Sequence, residues 1–96
     1  MYGGWVYIMA SKPYGVIYTR VTANLVERVT QHRGGLGSKF ARKYDCRLLV
    51  YAEPHGSMPA AIARQKAIKE WPRPWRLRLI QGENPEWRDL FDDLNA

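Results

Sequence analysis

The sequence lacks several features that would place it in common protein classes. It has one cysteine, Cys46, so no internal disulfide can form, and we expect a protein of the reducing cytoplasm. The first eleven residues have no basic region before a short apolar run, so we predict neither a signal peptide nor a membrane helix. No cysteine and histidine cluster has the spacing of a zinc site. The absence of repeats and linkers predicts one domain over residues 1–96.

Acidic residues are scarce in most of the chain and concentrate at its end. The first 82 residues hold 14 of the 15 basic residues and four of the nine acidic ones, a net charge of +10. From Glu83 onward, five acidic residues and one basic residue give a net charge of −4. A strongly basic body indicates a polyanionic partner such as nucleic acid. The alternative is a solvated basic surface with no partner.

Alternating apolar and aromatic residues predict two strands joined by a turn. Residues 5–10 and 16–21 have the strand pattern, and the proline and glycine between them suit a hairpin loop. A third strand is predicted over residues 47–52. With the helices that follow, the order β-β-α-β-α-α-α predicts an α+β fold, a small three-stranded mixed sheet flanked by helices.

Helix signals occur at several places along the chain. Asn24 can cap a first helix, with Glu27 three residues on reaching back to it. The glycines at positions 34, 35 and 37 are expected to end that helix. The other predictions are a short helix or ordered loop over 38–44, a long helix from Ser57 to Pro72, a helix over 74–80, and an acidic C-terminal helix from about residue 86, with its apolar stripe over 87–94.

Two tyrosines, an arginine and a histidine form the most informative pattern of the chain. Tyr7 and Tyr18 lie on the two hairpin strands, and Arg28 and His32 lie one turn apart on the first helix. Such a set can bind a phosphodiester, polarise it and move a proton. The tyrosines alone would equally suit packing in a sheet. His32 would equally suit a cation at a helix C-terminus.

The order and spacing of these residues resemble the GIY-YIG nuclease domain, in its small stand-alone bacterial form. The likeness extends over essentially the whole chain. The segments that carry it are 6–8, 18–20, 24–33, 61–66 and 84–90. The resemblance implies a DNA endonuclease that depends on a divalent metal, Mg²⁺ or Mn²⁺, with DNA as its partner.

The resemblance also implies a role for each matching residue. The hairpin tyrosines Tyr7 and Tyr18 would hold or activate the attacking water. Arg28 would stabilise charge on the scissile phosphate, and His32 would assist proton transfer. Asn84 would help to order the site.

Two positions depart from the family pattern. The metal-binding glutamate of the family falls on Gln65, whose amide oxygen is neutral and attracts Mg²⁺ much less than a carboxylate does. A glycine of the second tyrosine motif is replaced by Arg20, which brings a positive charge toward the expected metal position. We therefore hold two hypotheses: an endonuclease impaired by these changes, or a catalytically inactive DNA-binding module with the same fold.

Basic residues with aromatic neighbours predict where DNA would bind. Phe40 and Tyr44 alternate with basic residues between positions 39 and 44, which suits backbone contacts and base stacking. A solvated loop is the alternative. Trp71 and Trp75 are predicted to be core residues. The predicted DNA-binding residues are Arg20, Arg33, Lys39, Arg42, Lys43, Lys66 and Lys69, and Arg73, Arg76 and Arg78 could extend a second basic face.

Overall fold

The computed structural model describes residues 3–35 and 38–95 of the chain. Gly37, one of the glycines expected to end the first helix, lies outside the described residues. Three strands and four α-helices follow one another, and a short 3₁₀ helix (Phe91–Asn95) comes last. In chain order the elements are β1 (Gly4–Ala10), β2 (Ile17–Thr22), α1 (Leu25–Arg33), α2 (Lys39–Lys43), β3 (Leu48–His55), α3 (Met58–Glu70) and α4 (Arg73–Glu83).

The sheet has the order β2-β1-β3, and both strand pairs are antiparallel. The α+β class is confirmed, but the expected mixed sheet is wrong. β2 and β3 do run in the same direction, yet β1 lies between them, so no parallel pair forms. In the hairpin, Tyr7 faces Arg20 and Met9 faces Tyr18. These two pairs therefore lie on one face of the sheet.

Alternate residues of β1 point to opposite sides of the sheet, and both faces are covered by other elements. Val6 packs against Ala61 and Ile68 of α3. On the other face, α1 and the C-terminal segment pack over a layer that contains Tyr7. The buried members of that layer are Tyr7, Met9, Leu25, Val29, Ala41, Cys46 and Leu49. Each large apolar side chain buried in this way stabilises the fold by about 1.5–3 kcal/mol.

The predicted helix caps are present. The Asn24 side chain accepts a hydrogen bond from the Glu27 backbone N–H at 3.2 Å and donates to the Glu27 carboxylate at 3.1 Å. Ser57 caps α3 by accepting from the Ala60 N–H at 3.3 Å. Ser38 caps α2, so the basic stretch is a short helix. The caps fix the first residue of each helix. They therefore also fix which residues of α1 and α2 face the sheet.

The chain after α4 differs from the prediction. α4 runs to Glu83, and the expected acidic C-terminal helix is instead a turn followed by the 3₁₀ helix. Trp87 has a φ of +55°, which interrupts any helix. Asn84 Oδ1 accepts from the Arg88 N–H at 3.2 Å, and Asp89 Oδ1 accepts from the Phe91 N–H at 3.1 Å. These side chains satisfy backbone donors that a helix would otherwise use.

Candidate functional site

Tyr7, His32 and Tyr18 meet on the α1 face of the sheet. The Tyr7 hydroxyl is 3.0 Å from His32 Nε2, in a buried hydrogen bond between β1 and α1. The Tyr18 ring meets the His32 ring edge-on, with centroids 5.7 Å apart. Residues separated by up to 25 positions are thus joined by direct contact. We name this set the tyrosine–histidine cluster: Tyr7, Tyr18 and His32.

Burial and neighbouring charges set the protonation of this cluster. Burial raises the pKa of Tyr7 to about 12, although the Arg28 charge acts in the opposite direction. Burial, followed by the charges of Arg28 and Arg20, lowers the pKa of His32 below its ordinary 6.5. At neutral pH the phenol is protonated and the imidazole is neutral, so Tyr7 can donate to His32 Nε2 when the ring proton is on Nδ1. The remaining His32 nitrogen, Nδ1, is buried and has no hydrogen-bond partner.

Arg28 lies on α1 one turn before His32, with its side chain at the surface. It donates to the Gln31 side chain at 3.2 Å. It lines an open groove of about 300 Å³ that also includes Thr22 and Asn24. Its effect on the pKa values of Tyr7 and His32 shows that its charge reaches the cluster. A guanidinium here can contact an anion that approaches the cluster from solvent.

Arg20 also belongs to this side of the sheet. It faces Tyr7 across the hairpin, and its side chain is exposed. Its charge lowers the pKa of His32 and, on α3, contributes with burial to lowering that of Lys69. Arg20 therefore stands between the cluster and the C-terminal end of α3. A glycine at this position would leave that approach open and uncharged.

Gln65 lies on the buried face of α3, between Ala61 and Ile68 in sequence. Those two neighbours pack on Val6, whose side chain points away from Tyr7. None of the contacts among the described residues joins Gln65 to Tyr7 or His32. The Gln65 side chain is about 9% exposed, so it is held inside the fold.

Comparison with known proteins gives the family. The family model for the GIY-YIG catalytic domain matches residues 3–78. This chain belongs to the GIY-YIG family. The match includes the tyrosine–histidine cluster, Arg20, Arg28 and Gln65, and it confirms the resemblance noted in the sequence.

The relatives of this GIY-YIG chain are UPF0213 proteins. The one from Staphylococcus haemolyticus is 32% identical over 77 residues, covering 80% of this chain and 93% of that protein. The one from Clostridium perfringens is 31% identical over 91 residues, covering 95% and 97%. With the Aeromonas salmonicida protein the identity is 28% over 91% of this chain, which spans only 63% of that relative. No solved structure matches significantly.

The GIY-YIG domain implies a divalent metal and a DNA substrate. The residues present do not fit a divalent ion well. Gln65, at the position for which the resemblance implies a carboxylate, offers only a neutral amide, and Arg20 carries a positive charge. Glu53, on β3, is already engaged by Tyr51 at 2.6 Å and by Arg64 at 3.1 Å. Among residues 3–35 and 38–95, no three histidine, cysteine or acidic side chains group together as metal ligands.

Asn84 does not join the tyrosine–histidine cluster. Its side-chain amide donates to the Val50 carbonyl at 3.2 Å and to the Arg88 carbonyl at 2.8 Å. These bonds tie the segment after α4 to β3. The sequence pattern did not single out Asp89, which has a similar role: its carboxylate accepts from the Leu49 N–H at 3.2 Å and pairs with Arg33. The signal available in the sequence was an acidic residue, Asp89, a few positions after the predicted turn that contains Pro85.

The predicted DNA-binding residues divide into engaged and free cations. Arg33 pairs with Asp89 and lies over the Phe91 ring at 4.6 Å, so it is not a free cation. Arg73 donates to two carbonyls of the hairpin loop. Among the other candidate DNA-binding residues, seven are exposed and have no ion pair in the described part of the chain: Arg20, Lys39, Arg42, Lys43, Lys66, Lys69 and Arg78.

Two tryptophans were predicted to be core residues. Trp71 is partly buried, but Trp75 is 51% exposed, so that prediction is wrong for Trp75. Trp75 lies in the first turn of α4, where it meets the Trp71 ring edge-on, with ring centroids 6.2 Å apart.

No helix of the described chain is long and apolar enough to cross a membrane.

Proposed function

We propose that this chain is a DNA-binding endonuclease domain of the GIY-YIG type whose hydrolysis of phosphodiester bonds is weakened by Gln65 and Arg20. The observation that carries the proposal is the buried Tyr7–His32 hydrogen bond with the Arg28 charge beside it. Mg²⁺ or Mn²⁺ would be the cofactor, held weakly because the expected ligand is neutral. A cytoplasmic location, expected from the single cysteine, stays a prediction.

The cluster supports a proton path from water to histidine. With its pKa near 12, the Tyr7 phenol is too weak an acid to ionise at neutral pH, but it can pass its own proton to neutral His32 Nε2. In the same step the Tyr7 oxygen takes a proton from the attacking water. The His32 pKa is low enough to keep the imidazole ready to accept. Tyr18 holds the histidine ring from the side.

Arg28 would supply the charge that faces the phosphate. Negative charge grows on the phosphate oxygens as the water oxygen attacks, and a guanidinium already in place stabilises it. Arg28 is suited to this because its side chain lies at the surface beside the cluster. Its bond to Gln31 restricts the side chain without burying it.

A second candidate is a DNA-binding module with no nuclease activity. The specific observation in its favour is the charge at the metal position. A family carboxylate has become neutral Gln65, and an uncharged glycine has become Arg20, so both changes disfavour a cation. Neither change weakens attraction to DNA, and Arg20 adds to it. The two candidates therefore differ in chemistry and share a partner.

A cleavage assay separates these candidates. Branched, single-stranded and duplex DNA would be incubated with the unmodified chain in Mg²⁺ or in Mn²⁺, beside the Gln65→Glu and Arg28→Ala variants. The impaired endonuclease predicts slow cleavage that rises with Gln65→Glu and disappears with Arg28→Ala. No cleavage by any variant, together with retained DNA binding, would favour the binding module.

A further inference from the structure

A groove of about 360 Å³ runs along the free edge of β2. It lies between α2 on one side and the facing ends of α3 and α4 on the other. It is separate from the groove that Arg28 lines, but it shares Tyr18 with the tyrosine–histidine cluster. The residues that line it are Ile17, Tyr18, Thr19, Phe40, Lys69 and Arg76.

Two polar groups of this groove are buried without a partner. Thr19 is 4% exposed, and its hydroxyl has no hydrogen-bond partner. Arg76 Nε is likewise buried and unpaired. Buried polar atoms are paired in the great majority of cases, so these two unpaired groups are available to bind a ligand in the groove. Both can donate a hydrogen bond, and two donors in one groove suit an anion.

The charges in the groove have one sign. Lys69 and Arg76 contribute two cations, and neither has an ion pair among residues 3–35 and 38–95. No acidic residue lines the groove. Arg20 adds a third positive charge, since it lowers the Lys69 pKa. An anion would relieve the repulsion between these cations.

Aromatic rings form the opposite wall. The Phe40 ring stacks on Tyr18 with centroids 5.5 Å apart and an angle of 21° between the planes. The Tyr44 ring also contacts the Phe40 ring, with centroids 4.8 Å apart. Phe40 is 44% exposed, so it keeps free ring surface. Base stacking on an exposed aromatic ring is a common mode of single-strand recognition.

We propose that this groove binds one unpaired nucleotide of a DNA strand, with its base on Phe40 and its phosphate at Thr19, Lys69 and Arg76. The identity of the polymer rests on the proposed function. A base inside a duplex is already stacked and cannot cover Phe40, so the groove selects single-stranded or splayed DNA. Because Tyr18 belongs to both sites, this nucleotide would lie next to the phosphate at which the cluster directs the attacking water.

Amide NMR titrations with a thymidine hexanucleotide, and with a hexamer of equal length that lacks bases, test the proposal. The Arg76→Gln variant should weaken binding of the thymidine hexamer about tenfold, while Arg88→Gln, the same change at an exposed arginine that pairs with Asp93, should weaken it less than about twofold. Lys69→Gln, with Lys12→Gln in the exposed hairpin loop as its control, forms a second pair in case Arg76→Gln disturbs the fold. Shifts should centre on residues 17–19 and 69–76.

The base contact is tested by a third pair of variants. Phe40→Leu should weaken binding of the thymidine hexamer about tenfold and leave the base-free hexamer unchanged. Trp75→Leu, which removes another exposed ring, should change neither. Equal losses for Arg76→Gln and Arg88→Gln would overturn the groove as a site. Equal binding of both hexamers to the unmodified chain would overturn the base contact.

Failure of the proposed function would look different. If no variant cleaves DNA, including Gln65→Glu, the hexamer titrations still decide the groove. If cleavage is found but the variants of the groove bind and cleave as the unmodified chain does, only the groove is rejected.

Discussion

The hairpin and α1 bring Tyr7, Tyr18 and His32 into contact, whereas α3 presents the neutral side chain of Gln65. Burial shifts the pKa values of Tyr7 and His32. In the proposed function, the first region transfers a proton and the second holds a metal ion only weakly. The two regions therefore give opposite indications about nuclease activity.

The difference has a structural cause. Tyr7 is also a core residue, packed with Met9, Leu25 and Val29, so the fold itself maintains it. Removing it would leave a cavity in the core. Residue 65 is buried as well, but glutamine and glutamate have nearly the same shape, so exchanging them alters the charge and little of the packing. A change at residue 65 therefore separates an effect on catalysis from an effect on folding more cleanly than a change at Tyr7 does.

The largest effect is expected from Arg28→Ala. In the impaired endonuclease, losing this guanidinium should reduce cleavage about 10²–10³-fold, since one donor to a developing oxyanion is worth that much. The thermal midpoint should stay within a few degrees, because Arg28 is exposed and bonded only to Gln31 among the described residues. Cleavage rates and thermal unfolding check this, with Arg88→Ala as the control, since Arg88 pairs with Asp93 away from the cluster. An active, folded Arg28→Ala variant would remove Arg28 from the site.

Salt should weaken DNA binding strongly. If the basic body neutralises about three phosphates, the affinity should fall about 40-fold between 50 and 200 mM salt. Lys39→Gln should reduce the slope of the salt dependence by about one, because Lys39 is an exposed, unpaired cation. Arg88→Gln should leave the slope unchanged, since Arg88 already pairs with Asp93 at 2.8 Å. Binding that is insensitive to salt would contradict a basic DNA surface.

The smallest effect concerns stability and pH. His32 has a lower pKa in the folded protein than the ordinary 6.5 of the unfolded chain, so below about pH 6.5 the unfolded state binds more protons. The free energy of unfolding should fall as pH drops from 7 toward 5. Glu53, whose pKa is lowered by bonds from Tyr51, Arg64 and His55 despite burial, loses its contribution only below about 4.5.

Urea unfolding at several pH values checks the role of His32. His32→Gln should flatten the pH dependence between 7 and 5, even though it lowers the overall stability. An unchanged slope in His32→Gln would mean that other groups set the pH dependence.

Much of the fold and cluster could be predicted from local patterns. Asn24 with Glu27, and the tyrosines on alternating strands, carry their information within a few residues. The segment after α4 could not be predicted in this way. Its apolar stripe has helical spacing, but Asn84 and Asp89 bond to β3, which is about 35 to 40 residues away in the chain. The partnerships of Arg33 and the orphan hydroxyl of Thr19 are likewise visible only in three dimensions.

The most direct test compares cleavage by the unmodified chain, Gln65→Glu, and the double variant Arg20→Gly with Gln65→Glu, in Mg²⁺ and in Mn²⁺. A carboxylate attracts a hard cation that an amide does not, and removing Arg20 relieves repulsion. The metal supplies several kcal/mol of transition-state stabilisation, so the rate should rise by orders of magnitude and be greatest for the double variant. Brisk Mg²⁺-dependent cleavage by the unmodified chain, with no gain from either change, would contradict the account.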